Sequence, residues 1–237
     1  MRWYYLLLGF ALCLTSAPAR AQAGGQANIR THPEIGVSAA IESDYRFRGF
    51  TLSDGRPDVR LSVTYDGKNG VYAGATLIAS EDPTGHLRSL GYVDYIGYVR
   101  HSATGPSWDV GVTQTHFDDE PFSGYTEIYA GVSKDHLGAR LSYSSNYFRK
   151  NAHTLYAEIN NSVRLSPHWL ITEHLGVMTP IDTAHRPERY DASIGVTREF
   201  THYALQMAWT TQQPDLRYPY ARNPGGDAVV VSALCFF

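Results

Sequence analysis

Residues 35–47 read IGVSAAIESDYRF. One parity holds Ile35, Val37, Ala39, Ile41, Ser43, Tyr45 and Phe47. The other holds Gly36, Ser38, Ala40, Glu42, Asp44 and Arg46, and continues to Arg48. A period of two with one apolar and one polar face is a half-buried strand. Its length is informative. Strands of soluble proteins average about five or six residues, and this alternation runs for thirteen.

The pattern recurs. Val59, Leu61, Val63 and Tyr65 alternate with Asp58, Arg60, Ser62 and Thr64. Similar runs cover 137–147, 155–163, 190–199 and 203–210, and weaker ones cover 71–80, 90–100, 108–117, 125–133 and 168–178. With the terminal DAVVVSALCFF, 227–237, the reading predicts twelve strands of about ten residues, the length of a tilted membrane-crossing strand. Boundaries within 80–120 leave this count open by two. The connections alternate. Short turns at 67–70, 101–106, 134–136, 166–167 and near Thr201 separate longer loops at 51–57, 81–89, 118–124, 149–153, 179–189 and 212–226. Short turns on one side and long loops on the other characterise outer-membrane barrels. The expected fold is therefore all-β: one antiparallel transmembrane barrel over 35–237, with both termini periplasmic.

The N-terminus supplies the compartment. Arg2 precedes an apolar run from Trp3 to Leu14, and Ala19-Arg20-Ala21 forms a cleavage pattern. Residues 1–21 read as a signal peptide cut before Gln22, and 22–34 as a short periplasmic segment. Without Arg2 and Arg20 the chain carries 18 basic and 23 acidic residues, a net charge of −5, with no basic face for nucleic acid. Only Cys235 remains after cleavage, so no internal disulfide forms.

If the barrel closes, the polar parity lines the lumen. Candidate lining residues are Glu42, Asp44, Arg46, Arg48, Arg60, Asp94, Glu127, Arg140 and Glu158, with Arg164, Asp191 and Glu199. Rings of such charges select ions in a diffusion pore. The same charges can instead pair across a plugged lumen, since twelve strands lie between packed and open barrels. Tyr45, Tyr65, Trp108, Tyr147, Trp169 and Trp209 read as interfacial girdles on the outward face. No cofactor or metal site is read: His174 faces inward alone, and HFDDE, 116–120, reads as a solvated acidic loop whose spacing matches no calcium loop. RNPGGD, 222–227, has no phosphate-loop lysine. No nucleophile elbow occurs, which argues against an enzyme. A soluble β-sandwich and a non-conducting barrel acting through its loops are the competing readings.

SDYRFRGFTLSDGRPDV, 43–59, resembles the opening motif of the TorF-type porin family, bacterial outer-membrane proteins of unknown function. Ser43, Asp44, Tyr45, Arg48, Gly49, Ser53 and Pro57 carry the match. GVYAGATLIAS (70–80), VDYIGYV (93–99), YTEIYAGVS (125–133), LSYSSNYF (141–148) and DASIGVT (191–197) are similar to its later segments. The stretch 109–117 lacks the family's Tyr-x-Tyr-Pro, and Tyr143-Ser144-Ser145-Asn146-Tyr147 lacks a proline and a charge. The resemblance implies a barrel with a porin role and no defined substrate. A C-terminal strand ending in Phe237 also resembles the signal read by the barrel assembly machinery. Expected partners are thus outer-membrane lipid, that machinery and small polar solutes or ions, with a homo-oligomer possible in principle.

Overall fold

The computed structural model describes residues 33–102, 104–118, 124–148, 150–181, 187–212 and 226–237. Residues 1–21, and with them the expected signal peptide, lie outside these, as do parts of 116–120 and 222–227. The strands are β1 (Glu34–Glu42), β2 (Arg46–Phe47), β3 (Phe50–Thr51), β4 (Asp58–Asp66), β5 (Val71–Glu81), β6 (Leu87–Arg100) and β7 (Ser107–Phe117). They continue with β8 (Tyr125–Lys134), β9 (Leu137–Ser144), β10 (Thr154–Ser166), β11 (Trp169–Pro180), β12 (Arg189–Glu199), β13 (Tyr203–Gln212) and β14 (Ala228–Phe236).

Twelve of these strands, β1 and β4 to β14, form a closed antiparallel barrel. Each pairs with its neighbour in the chain. β14 closes on β1 in the register Ser38 to Phe236 through Glu42 to Ser232, so neither edge is left unpaired. The start of β1, the end of β14 and the strand ends joined by short turns lie at one rim, and the strand ends joined by the longer connections lie at the other.

Ordinary core logic is inverted. Ile35, Ile41, Leu61, Ile96, Leu175, Met207 and Val229 are exposed, while Glu42, Arg60, Glu127, Arg140, Glu158 and Asp191 are buried. A soluble sandwich would hide the first set and solvate the second. An apolar exterior around a polar interior is the pattern of a barrel whose outer solvent is hydrocarbon.

The first strand is shorter than its alternation predicts. β1 ends at Glu42, and 43–57 leaves the wall and folds into the barrel. There β2 and β3 pair as a small hairpin, Arg46 with Thr51 and Phe47 with Phe50. Its two central residues, Arg48 (φ 48°) and Gly49 (φ 78°), both adopt left-handed backbone, the geometry of a type I′ turn. Tyr45 and Phe47 are therefore buried inside the barrel. Tyr45 is no girdle residue. Nor is Tyr147: β9 ends at Ser144, and Tyr147 turns inward to stack near Tyr125 at 4.8 Å. Alternation continued past both strand ends by coincidence, because a period of two records side-chain chemistry and not where the backbone bends.

Candidate functional site

The lumen is built from charged side chains on facing strands plus the inserted segment. Asp44 staples that segment to itself. Its Oδ1 accepts from Thr51 Oγ1 at 2.6 Å and Ser53 Oγ at 3.1 Å, and its Oδ2 accepts from Arg46 Nε at 2.6 Å. Tyr45 N donates to Ser53 Oγ at 2.9 Å, and Leu52 N to the Tyr45 carbonyl at 2.8 Å. Arg46 also donates to the carbonyls of Gly49 and Gly226, at 3.0 and 2.9 Å. Ser43 ties the start of the segment to β14 through both its backbone and its hydroxyl, each 3.0 Å from Val231. The Ser-Asp-Tyr and Ser residues of 43–53 thus shape the insert before they touch the wall.

The hairpin tip reaches across. Arg48 Nη2 donates to both carboxylate oxygens of Glu127 on β8, at 2.9 and 3.0 Å. Its guanidinium lies 3.9 Å from the centroid of Tyr156, 4.8 Å from Phe47 and 5.3 Å from Tyr147. Phe47, Tyr125, Tyr147, Tyr156 and Met178 pack around it. A buried ion pair needs such close geometry to offset the desolvation of both ions.

Further contacts fill the remaining cross-section. Arg60 pairs with Glu42 between β4 and β1, with Asp58 3.7 Å from Arg60 Nε. Arg140 Nη2 donates to Asp109 Oδ2 at 2.8 Å and lies 4.4 Å from the Tyr129 ring centroid. Tyr72 OH donates to Asp109 Oδ1 at 2.6 Å and meets Tyr129 OH at 2.6 Å. His174 contacts Asp191 Oδ1 through Nε2 and Asn160 Oδ1 through Nδ1, each at 2.7 Å, with Glu158 3.9 Å away. Near the short-turn rim Arg164 grips both oxygens of Glu199, at 2.6 and 3.2 Å. A cavity of about 30 Å³ is bordered by Glu42, Arg46, His174 and Gln206. Room of that size holds isolated waters.

The sequence-read lining residues are distributed unevenly. Glu42, Arg60, Glu127, Arg140 and Glu158 project into the lumen from the wall and are buried. Arg164, Asp191 and Glu199 share the inward parity. Asp44, Arg46 and Arg48 are inside too, but on the insert. Asp94 faces outward, contrary to expectation. It pairs with Ala75 and Gln114 and shares its parity with exposed Tyr92, Ile96 and Tyr98. The run VDYIGYV mixes residue classes on both parities. Its register is set by Gly97, which must face inward because the Tyr72 ring lies against it. His116 stacks on Tyr92 at 4.3 Å between centroids and places Nε2 3.6 Å from Asp94, a polar cluster toward the long-loop rim.

Several lumen residues were not among the sequence candidates: Asp58, Asp109, Tyr72, Tyr129 and Tyr156. Asp109 was within reach, since it opposes the parity of Trp108, Val110 and Val112. So was Tyr156, which shares the polar parity of Glu158 and Asn160. Tyr72 and Tyr129 were not: a two-letter alphabet counts them as apolar, whereas here Tyr72 OH donates to Asp109 and meets Tyr129 OH.

A model of a bacterial protein family of unknown function (Gcw_chp) matches residues 27–236. No curated protein matches the sequence. Among solved structures, the chain resembles the NanC porin, with a TM-score of 0.62, 10% identity, and coverage of 86% of this chain and 100% of that one. It also resembles the KdgM porin, with a TM-score of 0.55, 13% identity, and coverage of 85% and 99%. A KdgM porin in complex with disordered oligogalacturonate aligns with a TM-score of 0.54, 11% identity, and coverage of 86% and 99%. At these identities the likeness is one of fold: a porin-type barrel.

Proposed function

The chain belongs to the Gcw_chp family of bacterial proteins, and we propose that it is an outer-membrane channel passing small polar solutes or ions through a charged lumen narrowed by residues 43–57. In this reading the short-turn rim, with both termini, faces the periplasm. The observation that carries the proposal is the lumen wall. Among the described residues, buried atoms have no protein hydrogen-bond partner at Arg140 Nε and Nη1, both oxygens of Asp58 and Asn160 Nδ2 on the wall, and at Arg48 Nε and Nη1 on the facing insert. Buried polar groups are costly unless water or a solute meets them. A wall rich in such groups suits a wet path better than a dry core.

The insert sets the aperture. It is held by polar contacts, and its only ladder is the two-residue pairing of β2 with β3. Planar-bilayer recording of refolded protein tests the proposal. Discrete conductance steps are expected; a folded barrel that stays silent at every voltage overturns it.

A second reading has its own support. Arg48–Glu127 and Arg140–Asp109 close the cross-section with almost fully buried pairs. A lumen locked by them would make a non-conducting barrel acting through its long loops. Silence in the bilayer, both intact and with the insert replaced, would favour that reading.

A further inference from the structure

Basic side chains stand on the outward face at the short-turn rim: Arg100, Lys134 and Arg198 lie on the exposed parity of β6, β8 and β12. Of the acids at the same rim, Glu34, Asp66 and Glu199 stand on the inward parity, and Asp135 is exposed in the turn that follows Lys134. Among the described residues no carboxylate pairs with Arg100, Lys134 or Arg198. The lumenal arginines 46, 48, 60, 140 and 164 each have one. These five interior arginines are thus matched by carboxylates, whereas among the described residues the three exterior cations are not.

Arg198 has the most developed surroundings. It faces Trp169 directly across the β11–β12 ladder. Its guanidinium lies 5.5 Å from the Trp169 ring centroid and 5.0 Å from Phe200, which stacks on Tyr203 at 4.3 Å. Exposed His168 and His202 occupy the two adjacent short turns. Aromatic rings of this kind sit at headgroup depth. Both rings lie within cation–π range of the guanidinium, an interaction that commits none of its N–H groups to a carboxylate. A long basic side chain at that depth extends its charge toward the lipid phosphates, and guanidinium matches phosphate with paired hydrogen bonds. Either histidine ring adds an N–H donor in any protonation state.

We propose that this part of the short-turn rim is a binding site for the phosphate of an anionic phospholipid headgroup, anchored by Arg198 beside Trp169 and Phe200, with His168 and His202 in the adjacent short turns. The inference rests on the barrel standing in a bilayer.

The test is lipid retention. The mature chain is reconstituted in nanodiscs of equal phosphatidylglycerol and phosphatidylcholine, and lipids carried into the gas phase are counted by native mass spectrometry. Wild type is expected to retain phosphatidylglycerol about fivefold over phosphatidylcholine, the effect of one basic side chain at an anionic surface. The variant R198Q/H168Q/H202Q should retain the two equally, and R88Q, at the long-loop end of β6, should behave as wild type. Equal retention by wild type overturns the proposal even if the triple variant fails to fold. So does a preference that survives in a folded triple variant, identified by its heat-modifiable gel band. A wild-type chain that inserts into neither lipid fails the barrel reading itself; insertion without preference fails only this site.

Discussion

Arg48 enters the barrel on left-handed backbone (φ 48°), and its guanidinium is hydrogen-bonded to Glu127. Removing one partner strands the other in a buried site. Arg48→Ala should lower the unfolding free energy by about 3–5 kcal/mol, read by urea titration of the refolded barrel. Glu127→Leu combined with Arg48→Met should lose much less than the two single changes together, since no lone charge is left. A double variant as weak as the sum would show that the pair is not coupled. If the pore reading holds, Arg46→Ala with Arg48→Ala also shifts the reversal potential toward cations. Gly97 gives a steric counterpart. A Cβ there would strike the Tyr72 ring, which Asp109 and Tyr129 hold in place. Gly97→Ala should cost about 1–3 kcal/mol in the same titration. Outside the wall, Asp82 accepts from Thr84 Oγ1 at 2.6 Å and from the amides of Thr84 and His86 at 2.8 and 3.1 Å. The Thr84 hydroxyl, then the His86 and Thr84 amides, hold its pKa below the ordinary carboxylate value. Stability from this turn is therefore fully present above the ordinary value and lost as pH falls through the lowered one. Amide shifts of Thr84 and His86 should move only in that acid window.

At the scale of elements, the closing strand and the insert make different demands. β14 carries an outward row of Val229, Val231, Cys235 and Phe237, and its backbone seals the barrel against β1. Phe237 N donates to the Val37 carbonyl at 3.0 Å. Deleting Phe237 is expected to reduce the heat-modifiable band in the outer-membrane fraction while leaving the single-channel conductance of whatever protein assembles unchanged. Unaltered assembly would remove the terminal aromatic from any signalling role. The insert buries Tyr45, Phe47 and Phe50 inside the lumen. Hydrophobic burial drives it inward, and hydrogen bonds from Asp44 and Ser53 define its shape.

For the whole molecule, the insert is what separates a narrow passage from a wide one. Replacing 44–56 with a Gly-Ser linker of equal length removes Arg48 and the hairpin together. Larger conductance steps are expected in planar bilayers than from wild type. Equal steps would mean that the solute path bypasses the insert.

Alternation along 35–42, 59–65, 155–163 and 203–210 specified the barrel by itself. So did the sorting of short turns from long loops. Side-chain facing and strand length follow from a local period and the thickness of a bilayer, and both are written in order along the chain. The inward positions of Glu42, Arg60, Glu127, Arg140 and Glu158 were legible for the same reason. Only the tertiary structure decided that 43–57 leaves the wall, that Asp94 points out, and that Tyr72 and Tyr129 point in. Each of these depends on partners distant in sequence: Glu127 for Arg48, Gly97 for Tyr72, and Asp109 for Tyr72 and Arg140. A period of two states which residues share a face. What fills the lumen is settled only when the twelfth strand closes on the first.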